Sequence, residues 1–402
     1  MIFKRMREQI LDKAIRGQLV PQLAEDGVVE QIGDAPSEVP FEIPDSWKWV
    51  KLKDVFSMQA GKFIKASEIK EAGAYPCYGG NGLRGFVDKT NRKGRFPIIG
   101  RQGALCGNIH VVDGEFYATE HAVVVDCGLY GDPDCVGLFL AHMNLNQYAT
   151  ATAQPGLSVK KIEELPFQLP PLAEQKRIAS RVTELFTEID RAEKAYEELQ
   201  SLANVLRGQI LQKAIQGKLV PQLPEDGVVD QIGEAPEEVP FEIPASWKWV
   251  KFEHTCKCLD SMRVPIKQKE RENLNKEYPY YGATGVIDYV DKYIFDGSFL
   301  LIGEDGANLL SKSKDNAFIA TGKFWVNNHA HIFDSNKVSE LKYLAIVINA
   351  LNLNRYVTGS AQPKLTQKNL FSIPVPLPPL AEQKRIVAKV ENLLEQIDLM
   401  TK

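Results

Sequence analysis

The chain has 402 residues, a formal net charge of −4, 44% hydrophobic residues and 25% charged ones. That length accommodates two to four ordinary domains, and the composition is that of a soluble globular chain. No run approaches the ~18 apolar residues of a membrane span, and the opening MIFKRMREQIL is too charged for a secretion signal, so no membrane is involved and the expected compartment is the cytoplasm.

Taken in chain order, residues 1–17 read as part of an amphipathic helix, with Phe3, Met6 and Ile10 at helical spacing. An acidic connector punctuated by Pro and Gly covers Leu19–Pro40. FEIPDSWKWV follows, and its Trp47-Lys48-Trp49 alternation predicts the first strand of a domain, aromatic side inward. Up to residue 168, short β-branched and aromatic runs broken by glycine, such as FPIIG and AVVVDCG, predict a mixed α/β domain with irregular sheet and a helix at Val136–Tyr148. Proline is then absent from Leu172 to Gln216. Apolar residues stand there at Ile178, Val182, Leu185, Ile189, Ala192, Tyr196, Leu199, Ala203, Leu206 and Ile210, in alternating steps of four and three. This is a coiled-coil seam on a helix about 65–70 Å long, entered after Pro170-Pro171 and capped at Gly217.

The second half repeats the plan. Gln209–Lys251 matches Gln9–Lys51 at 35 of 43 positions, and LPPLAEQKRI occurs at Leu169–Ile178 and again at Leu377–Ile386. A second connector (Leu219–Pro240) and a second mixed domain with a helix at Val338–Tyr356 lead to a last apolar series, Ile386, Val390, Leu393, Ile397 and Met400. Laid end to end, tail and head rebuild the central helix, lacking only counterparts of residues 195–200. A lone helix of that length leaves its seam wet, so an antiparallel pair is expected, one coil continuous and the other assembled from the two chain ends. The expected fold is α+β: two mixed α/β domains separated by an antiparallel pair of long coiled-coil helices, pseudo-two-fold and circular in organisation. The expected segments are 1–17 (N-terminal part of the distal helix), 18–168 (first variable domain with connector), 169–217 (central helix), 218–376 (second variable domain with connector) and 377–402 (distal helix).

The motifs QILxKAIxGxLVPQ, FEIPxSWKWV and the twice-used LPPLAEQKRI resemble the DNA-specificity (S) subunit of type I restriction-modification systems, over essentially the whole chain. The resemblance implies that each variable domain is a target-recognition domain reading one half of an asymmetric, split double-stranded DNA sequence. It implies that the repeated helices space the two readers and dock two methyltransferase (M) subunits and, through them, restriction (R) subunits. It implies a non-catalytic chain with no cofactor of its own, S-adenosylmethionine, ATP and magnesium belonging to the partner subunits. The departure from the family lies at the ends, where the second coil is shorter and split. No GxxxxGK[ST] loop and no Asn/Asp-Pro-Pro-Tyr/Phe tetrad occurs. His254, Cys256 and Cys258 lack a second ligand pair, so no metal site is expected. His329-Ala-His331 hints at a nuclease-like cluster, of which the first half keeps only His121-Ala122. The rival reading is a coiled-coil adaptor whose two variable domains bind protein.

Charge is unevenly spread. Residues 40–168 carry 14 Lys/Arg and 14 Asp/Glu, residues 240–376 carry 17 and 14, and the framework holds the negative balance. Arg84, Lys89, Arg92, Lys93, Arg95 and Arg101 face only Asp88, a basic segment suited to phosphates. Three glycine-edged loops occupy matching positions in the two halves: Tyr78–Gly82 with Tyr281–Gly285, Gly100–Ala104 with Gly303–Ala307, and Gln154–Ser158 with Gln362–Thr366. Constant glycines with variable polar tips suit interchangeable base readout. Arg101 fits guanine, Gln102 or Asn81 adenine, and Glu304 or Asp305 the cytosine amino group. Tyr78, Gln154, Tyr281, Thr284 and Gln362 complete the candidate DNA-binding tips, and Lys160, Lys161, Lys364 and Lys368 are candidate phosphate contacts. Ordinary tight turns, where Gly and Asn serve positive φ, are the alternative for any one of these loops.

Overall fold

The computed structural model describes residues 2–103, 105–150, 155–359 and 361–401. They form two compact units, Met1–Ala195 and Tyr196–Lys402, and the division falls inside the central helix, Leu172–Ile215. At 44 residues that helix is about 66 Å long. It ends in a Schellman-type turn, with Gly217 at φ +68 and the Lys218 amide donating to the Lys213 carbonyl at 2.9 Å. Gly17 ends the N-terminal helix (Ile2–Ile15) in the same way.

In unit 1 the N-terminal helix runs antiparallel to the central one. Arg7 pairs with Asp190 and Glu193, while Ala14 and Ile15, further along, share a core with Ile178 and Val182. In unit 2 the C-terminal helix, Leu380–Thr401, is antiparallel in turn. Gln200 donates to the Thr401 carbonyl, Arg207 pairs with Asp398, and Ile386 and Val390 share a core with Ile210 and Ala214. The predicted seam is buried at Ile178, Val182, Ile189, Ala203 and Ile210. It is exposed at Tyr196 and Leu199, within the stretch for which tail and head supply no counterpart, and also at Ala192 and Leu206. Among the described residues no helix is long and apolar enough to cross a membrane.

Each unit is locked onto its helix by residues from the repeated motifs. Trp47 is buried, and its indole N–H donates to the buried carboxylate of Glu174 at 2.9 Å, which Gln22 also reaches at 2.6 Å. Arg177 grips Asp26 through two bonds of 2.7 and 2.6 Å. Unit 2 repeats the arrangement with Trp247, Glu382, Gln222, Arg385 and Asp226. The expected aromatic strand is corrected here. The strand starts at Lys48, Val50 is its buried residue, and Trp49 is half-buried against Phe41.

The strands of unit 1 are β1 (Lys48–Lys51), β2 (Ser57–Ala60), β3 (Tyr75–Gly79), β4 (Gly82–Val87), β5 (Arg92–Lys93), β6 (Phe96–Gly100), β7 (Ile109–Val112), β8 (Glu115–Ala118), β9 (Ala122–Asp126) and β10 (Pro166–Leu169). They form an antiparallel pair β1-β10 and two four-stranded sheets, β2-β9-β6-β7 and β4-β3-β8-β5. Unit 2 follows with β11 (Lys248–Lys251), β12 (Cys256–Cys258), β13 (Tyr278–Gly282), β14 (Gly285–Val290), β15 (Phe295–Gly303), β16 (Ala317–Val326), β17 (Ala330–Ser335) and β18 (Pro374–Leu377). Here β11 pairs with β18, and the rest form a single sheet, β12-β17-β15-β16-β13-β14. The difference centres on a glycine pair. Both glycine pairs are at positive φ; Gly94 and Gly114 bond to each other where the unit 1 strands are interrupted, whereas β15 and β16 run through the pair Gly297 and Gly322. The helices expected at Val136–Tyr148 and Val338–Tyr356 are Pro133–His142 and Leu341–Ala350, packed against the β6-β7 and β15-β16 hairpins respectively.

Candidate nucleic-acid interface

The sheets of unit 1 deliver loops to a common edge. Strand β3 turns into β4 through Gly80-Asn81, β6 ends at Gly100, and β9 begins after Thr119–His121. A Cβ on Gly100 would lie 1.9 Å from the Gly80 carbonyl oxygen, so glycine is required for this approach. The Arg101 amide donates to the His121 carbonyl at 2.8 Å, the Leu157 amide to the Arg101 carbonyl at 2.9 Å, and the Gly103 amide to the Pro155 carbonyl at 3.0 Å. The Asn108 side chain donates to Asn81 Oδ1 at 2.9 Å. The three predicted loops therefore meet, joined by a fourth around His121.

Unit 2 repeats these main-chain bonds. A Cβ on Gly303 would lie 2.8 Å from the Ala283 carbonyl oxygen. The Glu304 amide donates to the His329 carbonyl at 2.8 Å, the Leu365 amide to the Glu304 carbonyl at 2.7 Å, and the Gly306 amide to the Pro363 carbonyl at 2.9 Å. One backbone platform thus occurs twice, carrying Arg101-Gln102 in the first copy and Glu304-Asp305 in the second.

On the first platform Asn81, Arg84 and Gln102 are exposed, Arg84 lying across Gly79. Arg101 is half-buried. Its Nε donates to the Leu157 carbonyl at 3.2 Å, and among the described residues its two terminal nitrogens have no partner. Tyr78 points into the sheet core, edge-on to Phe116. Arg92 and Lys93 lie on β5, beyond the Gly94 bend and at the far end of the strand run that delivers Arg101; Arg92 bonds Gln59 and the Asn91 carbonyl, and Lys93 pairs with Glu115. Gln154 falls outside the described residues. Lys160 is exposed on the short helix Val159–Glu163 that follows the third loop, and neighbouring Lys161 caps the Tyr148 carbonyl.

On the second platform Tyr281 packs against Phe318 and Phe324, Thr284 is half-buried, and Gln362, Lys364 and Lys368 are exposed. Glu304 is not a free tip. Its side chain is 13% exposed and is held by Arg263 at 2.8 Å and Lys364 at 3.2 Å. Asp305 is bound to His329 at 2.7 Å. Beneath them His331 faces Asp260 through Nδ1 at 2.5 Å and the Leu365 carbonyl through Nε2 at 2.9 Å. Burial works against ionisation of Asp260, yet its bond to His331 holds the carboxyl below its ordinary value. Glu304 is lowered despite burial in the same way, chiefly by Arg263.

Sequence reasoning weighed the loop carrying His121 and His329 only as a nuclease-like hint, and it passed over the ring of His110 and Arg263. The available signal was that His-Ala recurs in both halves, at His121-Ala122 and His329-Ala330, after the second loop of each. In unit 1, His110 Nε2, Glu120 Oε2 and His121 Nδ1 are buried atoms with no hydrogen-bond partner among the described residues, and His110 Nε2 lies 3.2 Å from the Cβ position of Gly82.

Comparison with known proteins agrees with this architecture. The chain is 44% identical over 150 residues to the EcoprrI type I restriction enzyme specificity subunit of Escherichia coli, a match covering 35% of this chain and 37% of that one. A putative type I specificity subunit of Haemophilus influenzae is 35% identical over 148 residues, covering 36% and 37%. These two alignments span little more than a third of either relative's length. The EcoDI specificity subunit of Escherichia coli aligns at 21% identity across 90% of this chain and 84% of its own. Among solved structures, the HsdS subunit from Thermoanaerobacter tengcongensis shares the fold at a TM-score of 0.54 and 16% identity, with 90% of this chain and 93% of that one covered. A chain solved in work on complex assembly and conformational transition of the type I R-M system shares it at 0.64 and 17%, with the same coverage. The model of the type I restriction modification DNA specificity domain matches twice, at residues 44–201 and 244–402, and the chain belongs to that family.

Proposed function

We propose that this chain is the sequence-reading, non-catalytic subunit of a type I restriction-modification complex, each loop platform reading one half of an asymmetric two-part duplex. The observation that carries this reading is the repeated platform: identical main-chain bonds bring four loops together in each unit, while the side chains they present are unlike. Two readers of one build and different chemistry fit two different half-sites. In the first, Asn81, Gln102 and the terminal nitrogens of Arg101, unpartnered among the described residues, suit purine edges. Its three buried atoms without a partner among the described residues mark a polar deficit that the donors and acceptors of a bound base edge would fill. In the second, Asp305, Thr284 and Gln362 are the tips, with Glu304 beneath them. Arg84, Lys160, Lys364 and Lys368 suit backbone phosphates.

The paired helices are the surface on which two M subunits dock and through them the R subunits, in the cytoplasm. S-adenosylmethionine, ATP and magnesium belong to those partners. The test is methylation mapping in cells that express the chain with its methyltransferase partner, compared with cells lacking the chain. A two-part asymmetric motif gained with the chain is the expected result, and duplex binding by the purified complex should weaken steeply with salt. Absence of any chain-dependent motif, with salt-insensitive binding, would return the adaptor reading.

A further inference from the structure

Beneath the second platform lies an ionic cluster with no counterpart among the described residues of the first. The register makes the comparison direct. Ile99 pairs with Val123 in β6-β9, and Ile302 pairs with His331 in β15-β17, so Val123 and His331 are equivalent. Val123 is buried opposite Ala60 in unit 1, where His331 meets Asp260 in unit 2. The His331 side chain is 1% exposed and both ring nitrogens face acceptors, the Asp260 carboxylate and the Leu365 carbonyl. Asp260 also accepts the Ile332 amide at 2.9 Å and lies 3.2 Å from Arg263, which in turn reaches Glu304 at 2.8 Å and the Ala330 carbonyl at 2.7 Å. Four segments distant in sequence (260–263, 304, 330–332 and 364–365) are tied by this one cluster. None of its buried members is a tip.

The same carbonyl is held differently in unit 1. Leu157 is the counterpart of Leu365, and its oxygen accepts from Arg101 Nε at 3.2 Å. One platform therefore pins its third loop from above, with a side chain that also lies among the candidate readers. The other pins it from below, with a buried imidazole that leaves the surface to other residues.

We propose that His331 is a positioning residue for base selectivity in unit 2: clamped between Asp260 and the Leu365 carbonyl, it fixes the third loop against the Glu304 loop without touching DNA. The inference rests on the DNA-reading function proposed above. A ring removed from this cluster leaves the Leu365 carbonyl without its donor and the Asp260 carboxylate with only Arg263 and the Ile332 amide, so the tips of loops two and three lose their mutual registry while the sheet beneath them keeps its hydrogen bonds.

The test uses the full chain with its partner subunits, expressed in cells whose genomic DNA is then mapped for methylated motifs. His331→Val installs the residue found at this register in unit 1, and His331→Gln keeps one amide donor. The wild type should give a two-part motif. His331→Val should raise methylation at sites with single changes in one half of that motif roughly tenfold relative to the intended site, the scale of one lost base contact, and leave the other half unaltered. His331→Gln should relax the same half to a smaller degree. A residue that merely supports folding would lower methylation of all sites together and preserve the motif, and that outcome overturns the clamp, as does an unchanged motif at full activity. A wild-type complex with no two-part motif overturns the DNA-reading function and the clamp with it. Should His331→Val deplete folded chain, His331→Gln and Asp260→Asn carry the same comparison.

Discussion

Replacement of Glu174 by alanine probes the contact that fastens unit 1 to its helix. The carboxylate is 1% exposed and accepts from the buried indole of Trp47 at 2.9 Å and from Gln22 at 2.6 Å. Alanine strands the indole N–H in the core, which costs about 1–3 kcal/mol, and removes hydrogen bonds to a charged acceptor worth a further ~1.5 kcal/mol or more. Against this, burial pushes the Glu174 carboxyl above its ordinary value, outweighing the pull of Trp47 and Gln22, so the mutation also removes a desolvation cost. The balance is a loss of about 2 kcal/mol, or roughly 30-fold in an opening equilibrium at tenfold per 1.4 kcal/mol. Because the two units fold around separate cores, a global midpoint is the wrong readout, and native-state hydrogen exchange resolved by peptide is the right one. Peptides around Val123 and Phe167 should exchange roughly 30-fold faster in Glu174→Ala, with those around Ile332 and Val375 unaffected. Glu174→Gln, which keeps an oxygen acceptor, should change the first set by less than about fivefold. A rise below about threefold in Glu174→Ala, or an equal rise in both units, would refute the lock.

Other consequences are open to measurement. Arg177→Lys replaces a two-bond grip on Asp26 with a single bond and should destabilise unit 1 by about 1 kcal/mol in the same exchange assay. Lys276 and Arg271 lower the Asp288 carboxyl to about 2. Its folded-state value lies below the ordinary one of 3.8, so the stabilisation is complete above that pH and drains away as pH falls toward 2. Asp288→Asn should cost unit 2 about 1 kcal/mol near neutrality, the shift being discounted for solvent screening of a surface pair, and flatten its acid titration, whereas an unchanged acid transition contradicts the pairing. Lengthening the central helix by four residues within 196–200 adds about 6 Å, so the unread gap in the methylated motif should grow by roughly two base pairs; an unchanged gap removes the helix as the ruler.

The helices, the duplicated framework and the three loops of each unit were readable along the chain because each rests on local rules. Seam spacing follows from helical geometry, and Gly17 and Gly217 end helices because they adopt positive φ. Gly100 and Gly303 stand where backbone passes backbone. What the exposed tips are free to do depends on partners far away in sequence, which no periodicity records. Tyr78 and Tyr281 read as DNA-binding tips in their loops, yet they fill cores completed by Phe116 and by Phe318 and Phe324. Arg92 and Lys93 join a basic run, but the strand carries them away from Arg101; Lys93 pairs with Glu115, and Arg92 bonds Gln59 and the Asn91 carbonyl. Glu304 reads as a reader until Arg263, 41 residues earlier, and Lys364, 60 later, close on it. His331 sits in a pair suggestive of catalysis, and burial against Asp260 makes it a strut. Local chemistry thus specified where the chain turns, coils and repeats. Burial and ion pairing, which arise only when distant segments come into contact in a poorly solvated interior, determined which side chains remain free to meet a ligand.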